Sequence, residues 1–342
     1  MEEKLSERDG SSRGPSRWRF ARSLLMARLL GRRRPLLVNI EPTHRCNLAC
    51  SFCDKASPHA PQMETPRALR LIDELAAAGT CSICFDGGEP LVHPDIGKLI
   101  ARARARGLRV AMSTNGILIP KRIDELAGVS VLKVSLDGDQ EQHDCGRGVG
   151  AYQRALAGVQ AARQRGIDVA LRMTLASHNV DGWPAMLRMA QALGCKALFQ
   201  PAIGSVMDQA IPAGVHSAEV TRYRAAIDGI ARAQRAGAPV ANERVCLQHL
   251  RAWPEPRRVR FCAGGRIEAA IGPDGKMFPC GRYGRHRNAP NVFTAGAKAA
   301  FAALVPPTDC ANCWCTLTLA TCYLWRLDPR LVQGRIPLPL RS

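Results

Sequence analysis

The sequence shows no long hydrophobic run and no secretory leader, and these two absences argue against a membrane-spanning or secreted protein. No apolar stretch approaches the roughly 18 residues that cross a bilayer, and the segment from Ser23 to Leu30 is interrupted by Arg28. We therefore expect no membrane-spanning helix. A leader with a long apolar segment and a cleavage site is also missing, so we expect a cytoplasmic protein.

Acidic residues and lysines are scarce. The 342 residues include 29 acidic and 48 basic side chains, for a net charge of +19, yet only eight of the basic residues are Lys. The arginines are spread along the predicted helices and form no single strip interleaved with aromatic residues, which argues against nucleic acid as the partner. A basic surface instead favours an acidic protein or an anionic lipid surface as the binding partner.

Cysteine, by contrast, is abundant: the chain has 14. Disulfide-rich scaffolds are small secreted domains, so we expect these thiols to bind metal. Three of them, Cys46, Cys50 and Cys53, lie within eight residues, directly after the apolar run Leu36 to Ile40. Structural zinc sites use four ligands, whereas an iron-sulfur cubane held by three cysteines keeps one iron open. The spacing favours the open cluster over a zinc loop or a disulfide-forming set.

From Pro35 onward, short apolar runs alternate with segments of helical period. This alternation predicts a parallel sheet with right-handed crossovers, followed beyond Pro254 by a region without helical rhythm. One predicted helix covers Arg122 to Ala127. The six predicted strands are Leu36 to Ile40, Ser82 to Phe85, Arg109 to Ser113, Val131 to Leu136, Val169 to Thr174 and Ala197 to Gln200.

Polar, glycine-containing motifs follow three of these strands. They are Asp86-Gly87-Gly88-Glu89-Pro90, Ser113-Thr114-Asn115-Gly116 and Ser135-Leu136-Asp137-Gly138. Each motif alone is typical of a turn. Parallel sheets, however, bind ligands at the carboxyl ends of their strands. Together the three motifs indicate a ligand site beside the cysteine loop.

The CxxxCxxC spacing and these motifs resemble those of the radical S-adenosylmethionine (SAM) enzymes. The resemblance implies a partial (β/α)6 barrel of the α/β class, in which Cys46, Cys50 and Cys53 hold a [4Fe-4S] cluster that binds SAM. Reductive cleavage of SAM then gives a 5'-deoxyadenosyl radical, which abstracts a substrate hydrogen. It also implies a flavodoxin- or ferredoxin-like electron donor. The residues implied to contact SAM are Phe52, Gly87, Gly88, Glu89, Asn115, Ser135 and Arg172.

Among these contacts, Glu89 is expected to offer acceptors to the SAM amino group, and Ser135 to lie near the ribose and carboxylate. Arg172 could meet the SAM carboxylate or could simply be exposed at a strand end. Cys81 and Cys84 are expected on opposite faces of their strand. Cys145, in the segment after the fourth strand, is either a hydrogen-atom donor or a surface loop residue.

The remaining cysteines gather near the C-terminus. Cys262-x12-Gly275-x4-Cys280 predicts a hairpin between Ile267 to Ile271 and Lys276 to Phe278, and Cys310-x2-Cys313 follows. This pattern resembles the SPASM and twitch extensions of radical SAM enzymes, although Leu319 stands where the full SPASM pattern needs a thiol. The resemblance implies one auxiliary [4Fe-4S] cluster on Cys262, Cys280, Cys310 and Cys313. Cys315 or Cys322 could replace one ligand, and a zinc site on these thiolates is the alternative.

The sequence therefore predicts four segments. Residues 1–34 form a basic extension, partly disordered or amphipathic, that either packs on the domain or contacts a membrane from residues 17–34. Residues 35–250 form the barrel, 251–326 the auxiliary-cluster domain and 327–342 an irregular tail. The predicted function is a radical SAM oxidoreductase or maturase that modifies a peptide. Alternatives are a sugar, another small molecule or a lipid as substrate, an RNA-modifying enzyme, or an inactive metal-binding scaffold.

Overall fold

The computed structural model describes residues 17–53, 59–202, 217–281, 288–308, 310 and 313–328. The predictions for residues 1–16 and 329–342 lie outside these ranges. The described part is a mixed α/β structure around one sheet, and the six strands predicted from sequence are present in it. They are β1 (Leu37–Thr43), β2 (Ser82–Gly87), β3 (Arg109–Thr114), β4 (Val131–Ser135), β5 (Val169–Leu175) and β6 (Lys196–Pro201).

Two further strands extend the sheet. β7 (Glu268–Ile271) pairs parallel with β1, and β8 (Met277–Phe278) pairs antiparallel with β7, so the predicted hairpin is present. The strand order is β6-β5-β4-β3-β2-β1-β7-β8, and every pair except the last is parallel. The C-terminal hairpin thus belongs to the main sheet. Sequence analysis did not anticipate this pairing, and the domain boundaries stay a prediction.

Twelve α-helices lie in the described ranges. The predicted helix Arg122 to Ala127 is divided between α4 and a 3-10 turn, Ile123–Leu126, and the region beyond Pro254, expected to lack helices, contains three. The helices are α1 (Arg17–Leu29), α2 (Thr65–Ala77), α3 (Ile96–Ala105), α4 (Ile119–Arg122), α5 (Gln140–Arg147), α6 (Ala151–Gln164), α7 (Trp183–Ala192), α8 (Ser217–Arg235), α9 (Arg244–Leu250), α10 (Val292–Ala295), α11 (Ala297–Ala303) and α12 (Thr316–Trp325).

The core lies between the outer face of the sheet and the helices that cover it. Alternate side chains of β2, Ile83 and Phe85, are fully buried there, and α2 buries Ile72 and Leu75 at helical spacing. The intervening strand positions face the barrel interior. Cys84 lies on this inner side, whereas the thiol of Cys81 faces Gly79 and α1, so the two cysteines point to opposite faces as predicted.

The N-terminal helix packs on the domain. Phe20, Leu24 and Ala27 of α1 are buried, while its outer face exposes three apolar side chains, Leu25, Met26 and Leu29, and Leu30 is exposed just beyond the end of the helix. This arrangement matches the expectation that α1 covers the domain, and membrane contact by its outer face stays a prediction. None of the helices in the described ranges has the length and apolar character needed to cross a bilayer.

α12 closes the open side of the barrel. The hydroxyl of Thr316 donates to the carbonyl of Phe199 on β6 at 2.9 Å, and the hydroxyl of Thr318 donates to Glu268 on β7 at 2.8 Å. One face of α12 therefore joins the two strands that bound the parallel part of the sheet. Its other face buries Leu319 and Cys322 in the core. α12 thereby covers the gap between β6 and β7.

Candidate active site

The three-cysteine loop leaves the carboxyl end of β1 and is held by two neighbours. The amide of Ser51 donates to the carbonyl of Gly146 at 3.0 Å, which ties the loop to α5. On the other side, Nδ2 of Asn115, just after β3, donates to Oδ1 of Asn47 at 2.7 Å and lies 3.9 Å from the Cys46 sulfur. The loop is thus positioned by the ends of β1 and β3 and by the helix after β4.

The paired glycines after β2 permit close approach to this loop. A Cβ on Gly88 would lie 2.4 Å from the carbonyl oxygen of Arg45, and one on Gly87 would lie 2.5 Å from that of Thr43. The amide of Gly88 donates to the carbonyl of Thr43 at 3.0 Å, and that of Glu89 to the carbonyl of Arg45 at 2.9 Å. Only residues without a side chain fit here.

The side chain of Glu89 lies between the ends of β2 and β3. Its carboxylate, predicted to offer acceptors to SAM, is fully buried and accepts hydrogen bonds from the amides of Leu91 and Asn115 and the hydroxyl of Thr114, at 3.0, 2.7 and 2.8 Å. Burial raises the pKa of Glu89 to about 7 in spite of these donors. Three of the roughly four acceptor positions of the carboxylate are used within the protein, so Glu89 joins the ends of β2 and β3, and its contact with SAM stays a prediction.

The other predicted residues surround one cavity of about 190 Å³ at the carboxyl ends of the strands. Gln200 and Pro201, at the end of β6, and Leu317 and Thr318 of α12 complete its wall. Nine of the predicted residues line the cavity, namely Cys46, Cys50, Phe52, Cys53, Gly87, Gly88, Asn115, Ser135 and Arg172. The structure therefore brings together every predicted SAM-site residue except Glu89.

Arg172 shows that this cavity suits an anionic ligand group. Its Nε is buried and has no hydrogen-bond partner among the residues that the structure describes, although its neighbour on β4, Ser135, also lines the cavity. A buried donor left unpaired is costly, and native proteins seldom retain one unless a ligand or water satisfies it. The unpaired donor of Arg172 fits the carboxylate of SAM, and the three half-buried or exposed thiols fit an iron-sulfur cluster.

Arg147 is a site residue that sequence reasoning missed. It lies at the end of α5, is only 9% exposed, and its Nε donates to Oδ2 of Asp137 at 2.5 Å. Its guanidinium lies 5.1 Å from the centre of the Phe52 ring, and Nη1 lies 3.9 Å from the Cys50 sulfur. Asp137, which pairs with Arg147, belongs to the motif Ser135-Leu136-Asp137-Gly138. This acidic residue was the signal in the sequence from which a basic partner could have been predicted.

Burial controls the ionisation of the cysteine loop. It raises the pKa of Cys46 to about 11 and also raises that of Cys50, although the positive charge of Arg147 opposes the shift at Cys50. The thiols of Cys46 and Cys50 are therefore protonated near neutral pH. A metal centre bound here would displace these protons, so its binding is expected to depend on pH.

A second group of thiols lies beside α12. Cys322 forms hydrogen bonds with both Cys262 and Cys313, and its sulfur accepts from the amide of Ala263 at 3.3 Å. Cys280 is buried close to Cys313. Cys310 is half-buried, but residues 309, 311 and 312 around it are not described. The structure thus brings Cys322, named from sequence only as a substitute, into the centre of the group.

Cys315 lies between the two groups of thiols, whereas Cys145 lies apart from both. Cys315 precedes α12, lines the cavity of the three-cysteine loop and is also close to Cys313. Cys145 is exposed on α5, so it occupies a helix and not the predicted loop. Among the residues that the structure describes, no three Cys, His, Asp or Glu side chains are already arranged at metal-binding distances.

Similarity to known proteins agrees with this site. The sequence pattern of the Radical SAM superfamily matches residues 40–190. The chain is 40% identical over 157 residues to Fe-coproporphyrin III synthase of Methanosarcina barkeri, with 44% of this chain and 39% of that protein covered. It is 30% identical to the AdoMet-dependent heme synthase of the same organism, with 72% and 77% covered. It is 29% identical to PqqA peptide cyclase of Ruegeria pomeroyi, with 72% and 67% covered.

The fold also resembles solved structures. The chain aligns with anSMEcpe bound to AdoMet and the Cp18Cys peptide at a TM-score of 0.64 and 17% identity, with 78% of this chain and 80% of that one covered. Matches to several other curated relatives span less than half of their length. The heme synthase match, however, covers most of both chains. On this similarity, and with its cysteine loop at the carboxyl end of β1, the chain belongs to the radical SAM superfamily.

Proposed function

We propose that this protein is a radical SAM enzyme that abstracts a hydrogen atom from a peptide and thereby matures it. The observation that carries the proposal is the single cavity at which the three-cysteine loop meets Asn115, Ser135 and Arg172. When bound, a [4Fe-4S] cluster with SAM supplies a 5'-deoxyadenosyl radical by one-electron reduction.

The residues of the cavity have distinct roles in this proposal. Cys46, Cys50 and Cys53 hold the cluster, and the guanidinium of Arg147 offsets the negative charge of their thiolates. The unpaired Nε of Arg172 binds the carboxylate of SAM. Leu317 and Thr318 of α12 form the inner wall of the cavity. Each role uses an atom whose position in the described structure favours it.

A peptide substrate is supported by relatives that include PqqA peptide cyclase and by the fold shared with a peptide-bound enzyme. Heme synthases among the relatives favour a second candidate, a tetrapyrrole. Sugars and lipids stay as further alternatives. An inactive scaffold is disfavoured because the cysteine loop and the Gly87-Gly88 pair are both intact.

Three accessory features belong to the same proposal. The thiols beside α12 would hold one auxiliary [4Fe-4S] cluster, and one-electron transfer from the substrate radical, or its relay, is the chemistry that this cluster would supply. A flavodoxin- or ferredoxin-like protein delivers the first electron and meets the basic surface of the chain. The outer face of α1 is the segment for any membrane contact.

Formation of 5'-deoxyadenosine tests the proposal. Protein reconstituted anaerobically with iron and sulfide is given SAM and a strong reductant, and a Cys46→Ala/Cys50→Ala/Cys53→Ala variant is treated alike. We expect cleavage by the wild type only, with about four irons kept by the variant. Cys195→Ala, which removes a buried thiol remote from both groups, is the matched control and should cleave SAM normally. Zinc in place of iron, without cleavage, would contradict the enzyme assignment.

A further inference from the structure

A second cavity, of about 430 Å³, lies inside the barrel on the amino-terminal side of the candidate active site. Asn39 and Leu317 line both cavities, so the two adjoin. Most of its wall is apolar. The apolar side chains are Leu37, Val38, Ala111, Val131, Val169, Ala170, Leu198, Ala241, Leu317 and Ala320. We call this space the inner chamber. Its volume is in the range of cavities that hold small ligands.

Lys133 brings a positive charge into the apolar chamber. Its Nζ lies 3.1 Å from the sulfur of Cys84 on β2, which is two strands away from β4 in the sheet. Within the described ranges, no carboxylate lies within 4.0 Å of this Nζ. An ammonium group has three N–H donors, and the thiol uses only one of them. Lys133 therefore has donors to offer to a ligand.

Glu268 brings an acceptor to the opposite side. It is 3% exposed, and its Oε1 accepts a hydrogen bond from the hydroxyl of Thr318 at 2.8 Å. Its Oε2 is buried and accepts no hydrogen bond of ordinary geometry from the residues that the structure describes. The hydroxyl of Thr321 is close enough to interact with Glu268, but it is shared with the carbonyl of Leu317, to which it donates at 3.0 Å. A buried acceptor left unpaired beside a cavity points to a ligand that carries a donor.

The rim of the inner chamber is charged. Arg163 and Asp168 lie there 3.7 Å apart, and Lys196, the first residue of β6, is exposed. These residues lie at the amino-terminal ends of the strands, so a ligand longer than the chamber can extend out past them. The chamber thus admits one apolar group of a longer molecule.

We propose that the inner chamber binds one apolar residue of the substrate peptide, whose carbonyl accepts from Lys133 and whose amide donates to Glu268. This inference rests on the proposed function and names the residues that select its substrate. A peptide unit carries one acceptor and one donor on an apolar residue, which matches the ammonium of Lys133 and the Oε2 atom of Glu268. Two further charged side chains line the chamber and interact with protein groups, Arg109 with Asp168 and Glu243 with Cys246. A fatty acid has no donor for Glu268. A polycarboxylate would place its negative charges against Glu268, with the ammonium group of Lys133 inside the chamber to offset them.

Protection of Cys84 from alkylation tests this inference without catalysis. Full-length protein with reconstituted clusters is treated anaerobically with iodoacetamide, and modification of Cys84 is followed by peptide mass spectrometry. The probe is N-acetyl-leucine N-methylamide, which has a single apolar side chain between two amides. Each variant is normalised to its own rate without probe, because Lys133 itself influences the reactivity of Cys84.

The variants separate the two polar contacts. We expect Lys133→Met and Glu268→Leu each to raise the half-protecting probe concentration about tenfold, since each removes a hydrogen bond to a charged group. Glu268→Gln keeps an acceptor and should stay within about twofold of the wild type. Lys98→Met, at an exposed position of α3 that is not part of the chamber wall, should do the same. Circular dichroism of every variant shows whether the fold is kept.

Three results would overturn the inference. Equal protection by decanoate, with no loss in Glu268→Leu, would identify a chamber for apolar acids. Protection by coproporphyrin III but not by the capped leucine would identify a tetrapyrrole site. No protection by any probe would mean that the chamber is not a binding site. Cleavage of SAM is assayed separately, so a protein that binds the probe but never forms 5'-deoxyadenosine would refute the proposed function and leave the chamber assignment intact.

Discussion

Arg147 and Asp137 form a buried ion pair beneath the cysteine loop. Their Nε and Oδ2 atoms are 2.5 Å apart, and the two side chains are 9% and 0% exposed. The other oxygen of Asp137 accepts from the amide of Thr174 on β5 at 2.8 Å. The pair therefore fixes α5, which contacts the loop, to the strand that carries Arg172.

Removal of Arg147 is expected to destabilise the protein strongly, because it leaves the charge of Asp137 buried without a partner. We expect Arg147→Met to lower the free energy of unfolding by about 3 kcal/mol in urea titrations. Arg165→Met, which breaks the exposed pair with Asp124, should lower it by no more than about 1 kcal/mol. Similar small losses in both variants would show that Asp137 finds another partner.

The pH dependence of stability should change in Glu268→Gln. Burial raises the pKa of Glu268 from 4.5 to about 7. The folded state therefore resists ionisation, and stability from this group is full below pH 4.5 and is lost as the pH rises through 7. Glutamine does not titrate, so the variant should match the wild type near pH 4.5 and exceed it at pH 8 by up to about 3 kcal/mol.

Urea titrations at both pH values measure this difference. The difference between the two proteins is the informative quantity, because other buried groups titrate in both. Burial lowers the pKa of His143 to about 4, for example, and this opposes stability in acid in either chain. A wild-type advantage at pH 8 would mean that Glu268 is ionised and paired in the folded state.

Local patterns were sufficient to predict the six parallel strands and most of the cavity. Strand ends are marked by glycine and polar motifs, and parallel pairing brings such ends together whatever the distance along the chain. The side-chain direction of Glu89 was not predictable in this way. Its carboxylate satisfies donors on β3, from Thr114 and Asn115, and those partners become apparent only when the strands are assembled.

Pairing between distant segments was also beyond local patterns. Leu37 of β1 pairs with Glu268 of β7, although more than 200 residues separate them. β7 is only four residues long, and nothing in its sequence states which strand it joins. The inner chamber depends on this pairing, since it places Glu268 inside the barrel. Sequence reasoning therefore found the candidate SAM site but not the adjoining chamber.

Gly88 is predicted to control retention of the cluster. Alanine there would place a Cβ 2.4 Å from the carbonyl of Arg45, so the cysteine loop must move away from β2. We expect Gly88→Ala to retain less than half of the wild-type iron at the three-cysteine site after gel filtration. The control is Gly107→Ala, where a Cβ meets no atom within 4 Å and only the positive φ of 69° adds strain. Equal iron in both variants would show that the loop tolerates the shift.

Cys322 is predicted to be the fourth ligand of the auxiliary cluster. Cys322 contacts both Cys262 and Cys313, so we expect these three thiols and Cys280 to hold the cluster. Iron is counted in a Cys46→Ala/Cys50→Ala/Cys53→Ala background, in which only the auxiliary site remains. Cys322→Ala should then remove nearly all of the roughly four irons.

Two further substitutions in that background make the assignment decisive. Cys310→Ala should keep most of the iron, and Cys195→Ala, a buried thiol whose sulfur lies near the carbonyl of Leu193, should keep all of it. The opposite pattern, with iron lost in Cys310→Ala and kept in Cys322→Ala, would restore the ligand set predicted from sequence spacing. Cys322 would then be a buried thiol packed beside the cluster.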